Sequence, residues 1–390
     1  MKTLPLTYAP GAARAFKQTG FTLVEMMIAL GLGLVLIVSM TSVYLSSKTA
    51  SRRLDQLSTV QQNVRIAFEY LSDDARGAGM RGCQTGGTAA NFVNPLAAGL
   101  TTNYGTGVEG YNAVAAPSYP LTDVNTASSW TTNTAASGGA NTIPVGTIAG
   151  TAGTMTPGSD VLVLRVAGKA VRLSASTTSG AAALNIENVS SGKCYSPTTT
   201  DRVSGFCASS HGLIASCSNA RVFTVATTAT SPGGKLNFTT GITLGGDPIY
   251  ASGTAEVFPL QTIVYYVKAS SNGSGNSLYR HVFDGNGDDD QELIEGVETM
   301  QVTYGIDSSS PPNGAIDSYV TASGLTGDWA TVGAVRVSLL VRGLDPVGAD
   351  VAVPATAVVN GTTVTFPTSG AKYDRRVFTT TIALRNKISF

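Results

Sequence analysis

Between Asp284 and Glu295 the chain places oxygen side chains at alternating positions: Asp284, Asn286, Asp288, Asp290 and Glu292, closed by Glu295. This is the ligand order of a calcium-binding loop of about 12 residues. Oxygen-only ligands favour calcium over zinc or copper. Asp289 stands where such a loop carries a glycine. The flanks read as strands, so a helix-loop-helix hand is not expected. Two readings follow from the residues. In one, a bare oxygen-rich turn holds calcium weakly, on the order of 10⁻⁴–10⁻³ M. In the other, the run is a solvated acidic hairpin between Phe283 and Leu293, with Glu292 and Glu295 on a strand surface.

Four cysteines, Cys83, Cys194, Cys207 and Cys217, form the second set of reactive groups. In an exported domain they are expected as two disulfides. Three connectivities are possible, and spacing does not choose among them. A four-cysteine zinc site would need closer pairs than these. The chain has only 2 histidines, His211 and His281. His281 reads as a surface strand residue, and His211 as a loop residue without a partner. No G-x-S-x-G, H-E-x-x-H or G-x-x-x-x-G-K-[ST] run is present, so no enzyme is expected. Lys plus Arg equals Asp plus Glu at 25 each, a balance that argues against nucleic-acid binding.

The third feature is a lone acid. The chain reads Lys17-Gln18-Thr19-Gly20-Phe21-Thr22-Leu23-Val24-Glu25 and then runs apolar to Leu45. Residues 21–45 are long enough to span a bilayer as a helix. A carboxylate inside that span is expensive and marks a function. Lys2, Arg14 and Lys17 precede the span without any acid, which keeps residues 1–20 on the cytoplasmic side. A secretory signal or a plain anchor is the simpler alternative. The residues after the run, Ser46-Ser47-Lys48-Thr49-Ala50, do not form a signal cleavage site, and a plain anchor leaves Glu25 unexplained. The junction resembles the N-terminus of type IV pilins and pseudopilins. That resemblance implies cleavage by a prepilin peptidase between Gly20 and Phe21, methylation at Phe21, and a role for Glu25 in docking subunits.

These groups need elements to position them. Apolar residues continue past the span at helical spacing through Leu54, Leu57, Val64, Phe68, Leu71 and Ala75. This predicts one helix over 21–78, a transmembrane half followed by an amphipathic half. Gly31 and Gly33 are its weak points, and Gly77-Ala78-Gly79 ends it. Residues 79–390 are expected as an extracytoplasmic β-rich domain. Strand-like runs occupy 160–166, 221–226, 257–268, 278–283, 297–304, 334–342 and 376–384. The 269–276 stretch reads as a hairpin connection. Residues 85–159 and 307–330 read as long loops or insertions. The fold class is α+β, a long N-terminal helix packed on a large antiparallel sheet domain.

The outer region is similar to the PilW family of large minor pilins. The similarity rests on Leu71-Ser-Asp-Asp-Ala-Arg-Gly-Ala-Gly-Met-Arg-Gly-Cys83, Ser216 through Phe223, Glu292 through Gly305, Trp329 through Arg342 and Arg375 through Asn386. It implies a structural subunit that joins other minor pilins, primes assembly of the major pilin in a tip complex, carries a tip adhesin, and supports twitching motility and adhesion. It also implies residence in the inner membrane, with the outer domain periplasmic, before export into the pilus. Two alternatives are a type II secretion pseudopilin of the J type and a calcium-dependent adhesin anchored by a pilin helix. For the cysteines, the preferred pairing joins Cys194 to Cys207, closing a local loop, and Cys83 to Cys217, tying the helix end to the sheet.

Overall fold

Apolar residues at a 3.6-residue period and an uninterrupted proline-free run produce a single helix, α1 (Leu23–Gly77, 55 residues). The computed structural model describes residues 20–83, 91–96, 99–113, 118–120, 130–131, 142–143, 155–156, 158–187, 194, 202–229, 234–239, 249–273, 275–284, 288–311, 313–325, 329–348, 351–367 and 370–386. The predicted leader up to Thr19, and Asn286 of the acidic run, lie outside the described residues. The chain divides into two units, Met1–Asp55 and Gln56–Phe390.

In the first unit, α1 continues through Gly31 and Gly33. Its apolar side chains from Phe21 to Leu45 are exposed. By length and composition this helix can cross a membrane.

In the second unit, α1 buries Val60, Val64, Ala67, Leu71 and Ala75. Their spacing of three and four residues puts them on one face. That face enters a core with Leu164, Ile263, Tyr265, Leu278, Val302, Trp329, Val337 and Ile382. The helix stops where expected. Gly79 takes a positive φ of 74°, a conformation glycine adopts without penalty. From far along the chain, Asn386 donates to the Arg76 and Ala78 carbonyls at 3.2 Å each, which satisfies orphan acceptors at the helix end.

The sheets form where β-branched and aromatic runs were predicted. Glu256–Ala269 is the hub of an eleven-stranded sheet. It pairs antiparallel with Asn276–Phe283, Val161–Ala167 and His211–Ala215. A second sheet has four strands in the order Ser318–Val320, Val297–Ile306, Val332–Arg342 and Arg375–Ala383, all antiparallel. The fold is α+β, as predicted.

Four local expectations are corrected. The 85–159 stretch is not all loop. Val108–Tyr111 is a strand buried at every residue and paired with Val161–Ala167. Its Glu109 and Gly110 weaken the β signal, and distant contacts supply what propensity lacks. Within 307–330, Ser318–Val320 is likewise a strand. His281 is fully buried rather than on the surface, its ring 4.2 Å from that of Phe283. His211 opens a strand, and its Nδ1 lies 2.9 Å from the Thr224 hydroxyl.

The structure joins Cys83 to Cys217 and Cys194 to Cys207, with Cα–Cα distances of 4.9 and 5.9 Å. The first bridge closes 134 residues and fastens the segment after α1 to the turn before Ala220–Ala229. Longer loops remove more unfolded-state entropy, so this bridge is the stronger stabiliser, typically 2–4 kcal/mol. Paired Cys83→Ala/Cys217→Ala substitution should lower the urea midpoint more than Cys194→Ala/Cys207→Ala. Peptide mapping without reductant checks the connectivity, and four alkylatable thiols would contradict it.

Candidate functional site

Glu25 lies in the first turn of α1, where backbone N–H groups have no intrahelical acceptor. Its Oε2 accepts from the Thr22 backbone N–H at 3.1 Å and from the Thr22 hydroxyl at 3.1 Å. In return, the Glu25 N–H donates to the Thr22 hydroxyl oxygen at 3.3 Å. This reciprocal arrangement is a capping box. It explains why the helix begins at Leu23 rather than at Phe21. The positive end of the helix dipole further favours a negative charge there. The acid that looked isolated in the apolar run therefore has a partner in its own chain. The Thr22-Leu-Val-Glu25 spacing carried that signal. Phe21 beside it is 85% exposed, leaving the predicted new N-terminus accessible.

In the second unit, a charged clamp holds the outer half of α1 against the sheet. Asp74 Oδ2 accepts from the Tyr265 hydroxyl at 2.5 Å and from Arg280 Nε at 2.7 Å, while Oδ1 accepts from Arg280 Nη2 at 3.2 Å. Burial, and then the adjoining Asp74 charge, raise the Tyr265 hydroxyl pKa far above its usual value. Two adjacent strands of the hub hairpin are thus tied to one helix position.

From Asp288 onward the acidic run is a strand. Asp288–Glu295 is an edge strand paired with Asn276–Phe283, so successive side chains point to opposite faces. Protein donors engage the described carboxylates. Asp290 accepts from Lys268 and from the Tyr266 hydroxyl, and His281 lies beside it. Burial works to raise the Asp290 pKa, but these hydrogen bonds and the Lys268 charge outweigh it and hold the group at about 2. Glu292 accepts from the Ser270, Ser271 and Tyr279 hydroxyls. Its burial is likewise outweighed by these donors, and its pKa is about 2. Asn272 donates to Glu295. Arg202 lies 3.9 Å from Asp284. Among the described residues, no three His, Cys, Asp or Glu side chains come together to hold a metal ion. The network stiffens the hub hairpin, with the Lys268 ammonium 4.1 Å from the Tyr279 ring centroid.

Two comparisons bear on this geometry. Residues 15–41 match the prokaryotic N-terminal methylation motif, which covers Gly20, Phe21, Thr22 and Glu25. Residues 264–386 match the family described as Type IV Pilus-assembly protein W. The second match takes in Arg280, most of the hub hairpin and the four-stranded sheet. No curated protein matches the chain. The matched family is structural and non-enzymatic, its machinery is that of type IV pilus assembly, and a prepilin of this kind resides in the inner membrane before entering the pilus. Over these two stretches the chain is similar to the type IV pilus-assembly protein W family and to the prepilin N-terminal methylation motif.

Proposed function

We propose that this chain is a minor pilin that primes pilus assembly within a tip complex of other minor pilins. It supports adhesion and twitching motility from that position. The observation that carries the reading is the Glu25 capping box, set at the start of an apolar helix inside a methylation motif. The prepilin peptidase cuts between Gly20 and Phe21. The new α-amine then lies within a few residues of a carboxylate already ordered by Thr22. In a membrane such a carboxylate is stable only when paired, and a neighbouring subunit's N-terminal amine is a suitable partner.

Two measurements test this. N-terminal sequencing of the membrane-extracted protein should begin at Phe21, and a start at Met1 or beyond residue 40 would end the pilin reading. In cells, a deletion strain should lose most surface pili and twitching. Complementation with the Glu25→Ala variant should restore membrane insertion but not co-purification with other minor pilins. A deletion strain with normal pili and defective protein secretion would instead identify a secretion pseudopilin.

A further inference from the structure

The Arg375–Ala383 strand ends its sheet and, among the described residues, forms backbone ladder pairs only with Val332–Arg342. Register runs unbroken from Arg342↔Arg375 to Ala334↔Ala383. A strand in this position presents a row of N–H and C=O groups facing away from its neighbour. Folded proteins usually blunt such an edge with proline, lysine, inward charge or a bulge. Val377-Phe-Thr-Thr-Thr-Ile-Ala383 contains no proline, no lysine and no charge. The edge of the larger sheet is built differently. There Asp288–Glu295 carries Asp288, Asp289, Asp290, Glu292 and Glu295, with a register shift opposite Leu278 and Tyr279. Of these two edges, one is protected against pairing and the other is not.

The open edge is also held rigid. Phe378 and Ile382 pack into the core beneath α1, while Val377, Thr379, Thr381 and Ala383 face outward and are exposed. An exposed arginine stands at each end. Arg376 and Arg385 are exposed; Arg376 lies 3.7 Å from the Asp374 carboxylate in a solvent-facing pair, which is weak, whereas Arg375 is engaged by Glu298 at 2.7 and 3.0 Å. The span from Arg376 to Arg385 is about 30 Å at the rise of a strand.

We propose that this edge accepts an extended segment of a partner polypeptide as an added strand. The segment it fits is an uncharged β-branched run of about seven residues with acidic residues at both ends. Backbone hydrogen bonds supply affinity, and the flanking charges supply register and selectivity. This goes beyond the assembly role and does not depend on leader processing.

The test uses the full processed chain in detergent micelles. The probe is an acetylated peptide with an alternating Val-Thr core and two Asp at each end. Controls carry Lys at both ends or a proline in the core. Binding is followed by fluorescence anisotropy, and its location by amide hydrogen exchange. Slowed exchange should be confined to residues 375–383 and their immediate neighbours. Charge reversal with R376E and R385E should weaken the acidic peptide at least tenfold and favour the Lys-flanked one. The same variant should stay close to the parent melting temperature, because both side chains are exposed and the Arg376–Asp374 pair it removes faces solvent. Absence of binding at millimolar peptide would overturn the proposal. So would protection at Asp288–Glu295, or equal affinity for all three peptides. Concentration-dependent self-association lost in the charge-reversed variant would also overturn it, by making a second copy the occupant.

Discussion

Replacing Asp74 with alanine is expected to destabilise the Gln56–Phe390 unit by about 3 kcal/mol, because it strips partners from two groups at once. The Arg280 guanidinium and the Tyr265 hydroxyl both donate to this carboxylate. Tyr265 is fully buried, and the Arg280 side chain is only 16% exposed. Water therefore replaces the lost acceptor poorly. Asp74→Asn keeps the shape and one acceptor oxygen but removes the charge, so its loss should be smaller. The neighbouring Asp73 is exposed, and Asp73→Ala should change stability by no more than about 0.5 kcal/mol. Urea unfolding of the full chain in detergent, followed by tryptophan fluorescence, reports the effect, since Trp329 is buried in the core that α1 enters. A change below about 1 kcal/mol for Asp74→Ala, or equal changes at Asp73 and Asp74, would show that apolar packing alone holds the helix.

The contrast between Asp73 and Asp74 shows where the sequence was legible. The stripe from Val60 to Ala75 could be read because helical period and burial coincide. Runs such as Val332–Arg342 could be read because β-branched residues dominate them. The Asp74 clamp could not, because its partner Arg280 lies 206 residues away and two adjacent aspartates look alike in sequence. Val108–Tyr111 was missed for a related reason. Its buried Glu109 pairs with Arg165 at 2.7 Å and accepts from the Tyr111 hydroxyl at 2.8 Å, and that arginine also donates to the Thr106 and Leu100 carbonyls. His281 was misjudged because the covering layer on its face comes from distant segments, Tyr111, Met155 and Val163 among them. The acidic run matched a ligand pattern by spacing alone. Spacing does not reveal the protein donors, Lys268, Tyr266, Ser270 and Ser271 among them, that engage Asp290 and Glu292. At the N-terminus, Glu25 was legible as chemistry, while the box it forms with Thr22 was visible three residues away and overlooked.

Stability of the same unit is expected to fall as pH rises from about 4 to about 7, and Asp160 is the cause. It is a buried carboxylate where the two sheets meet. Its Oδ1 accepts from the Ala113 N–H at 3.2 Å and its Oδ2 from the Val302 N–H at 2.8 Å. Burial pushes its pKa up, and the two N–H donors pull it down. Burial wins and leaves it at about 7. Among the described residues no cation offsets that burial, and both Asp160 and Glu109 act on the same Tyr304 hydroxyl. That hydroxyl is itself buried and, among the described residues, has no hydrogen-bond partner, and it sits where a side chain on Gly110 would collide with it. An unfolded aspartate titrates near 3.9. Between that value and 7 the unfolded chain has lost the proton and the folded chain still holds it. Stability therefore declines with pH across this window and is flat above it. The full loss is on the order of 4 kcal/mol. Asp290 and Glu292 act in the opposite sense at lower pH. Their pKa values of about 2 add stability above the ordinary carboxylate range, and it disappears as pH falls toward 2. The two windows hardly overlap, so the optimum should lie near pH 4–5. Asp160→Asn cannot ionise, and its amide nitrogen must face one of the two N–H donors. This variant should be less stable than the parent at pH 4.5 yet show no decline from pH 4.5 to 7.5. Urea midpoints of the full chain at those two values decide the matter. A parent and variant that decline in parallel would assign the pH dependence to other groups.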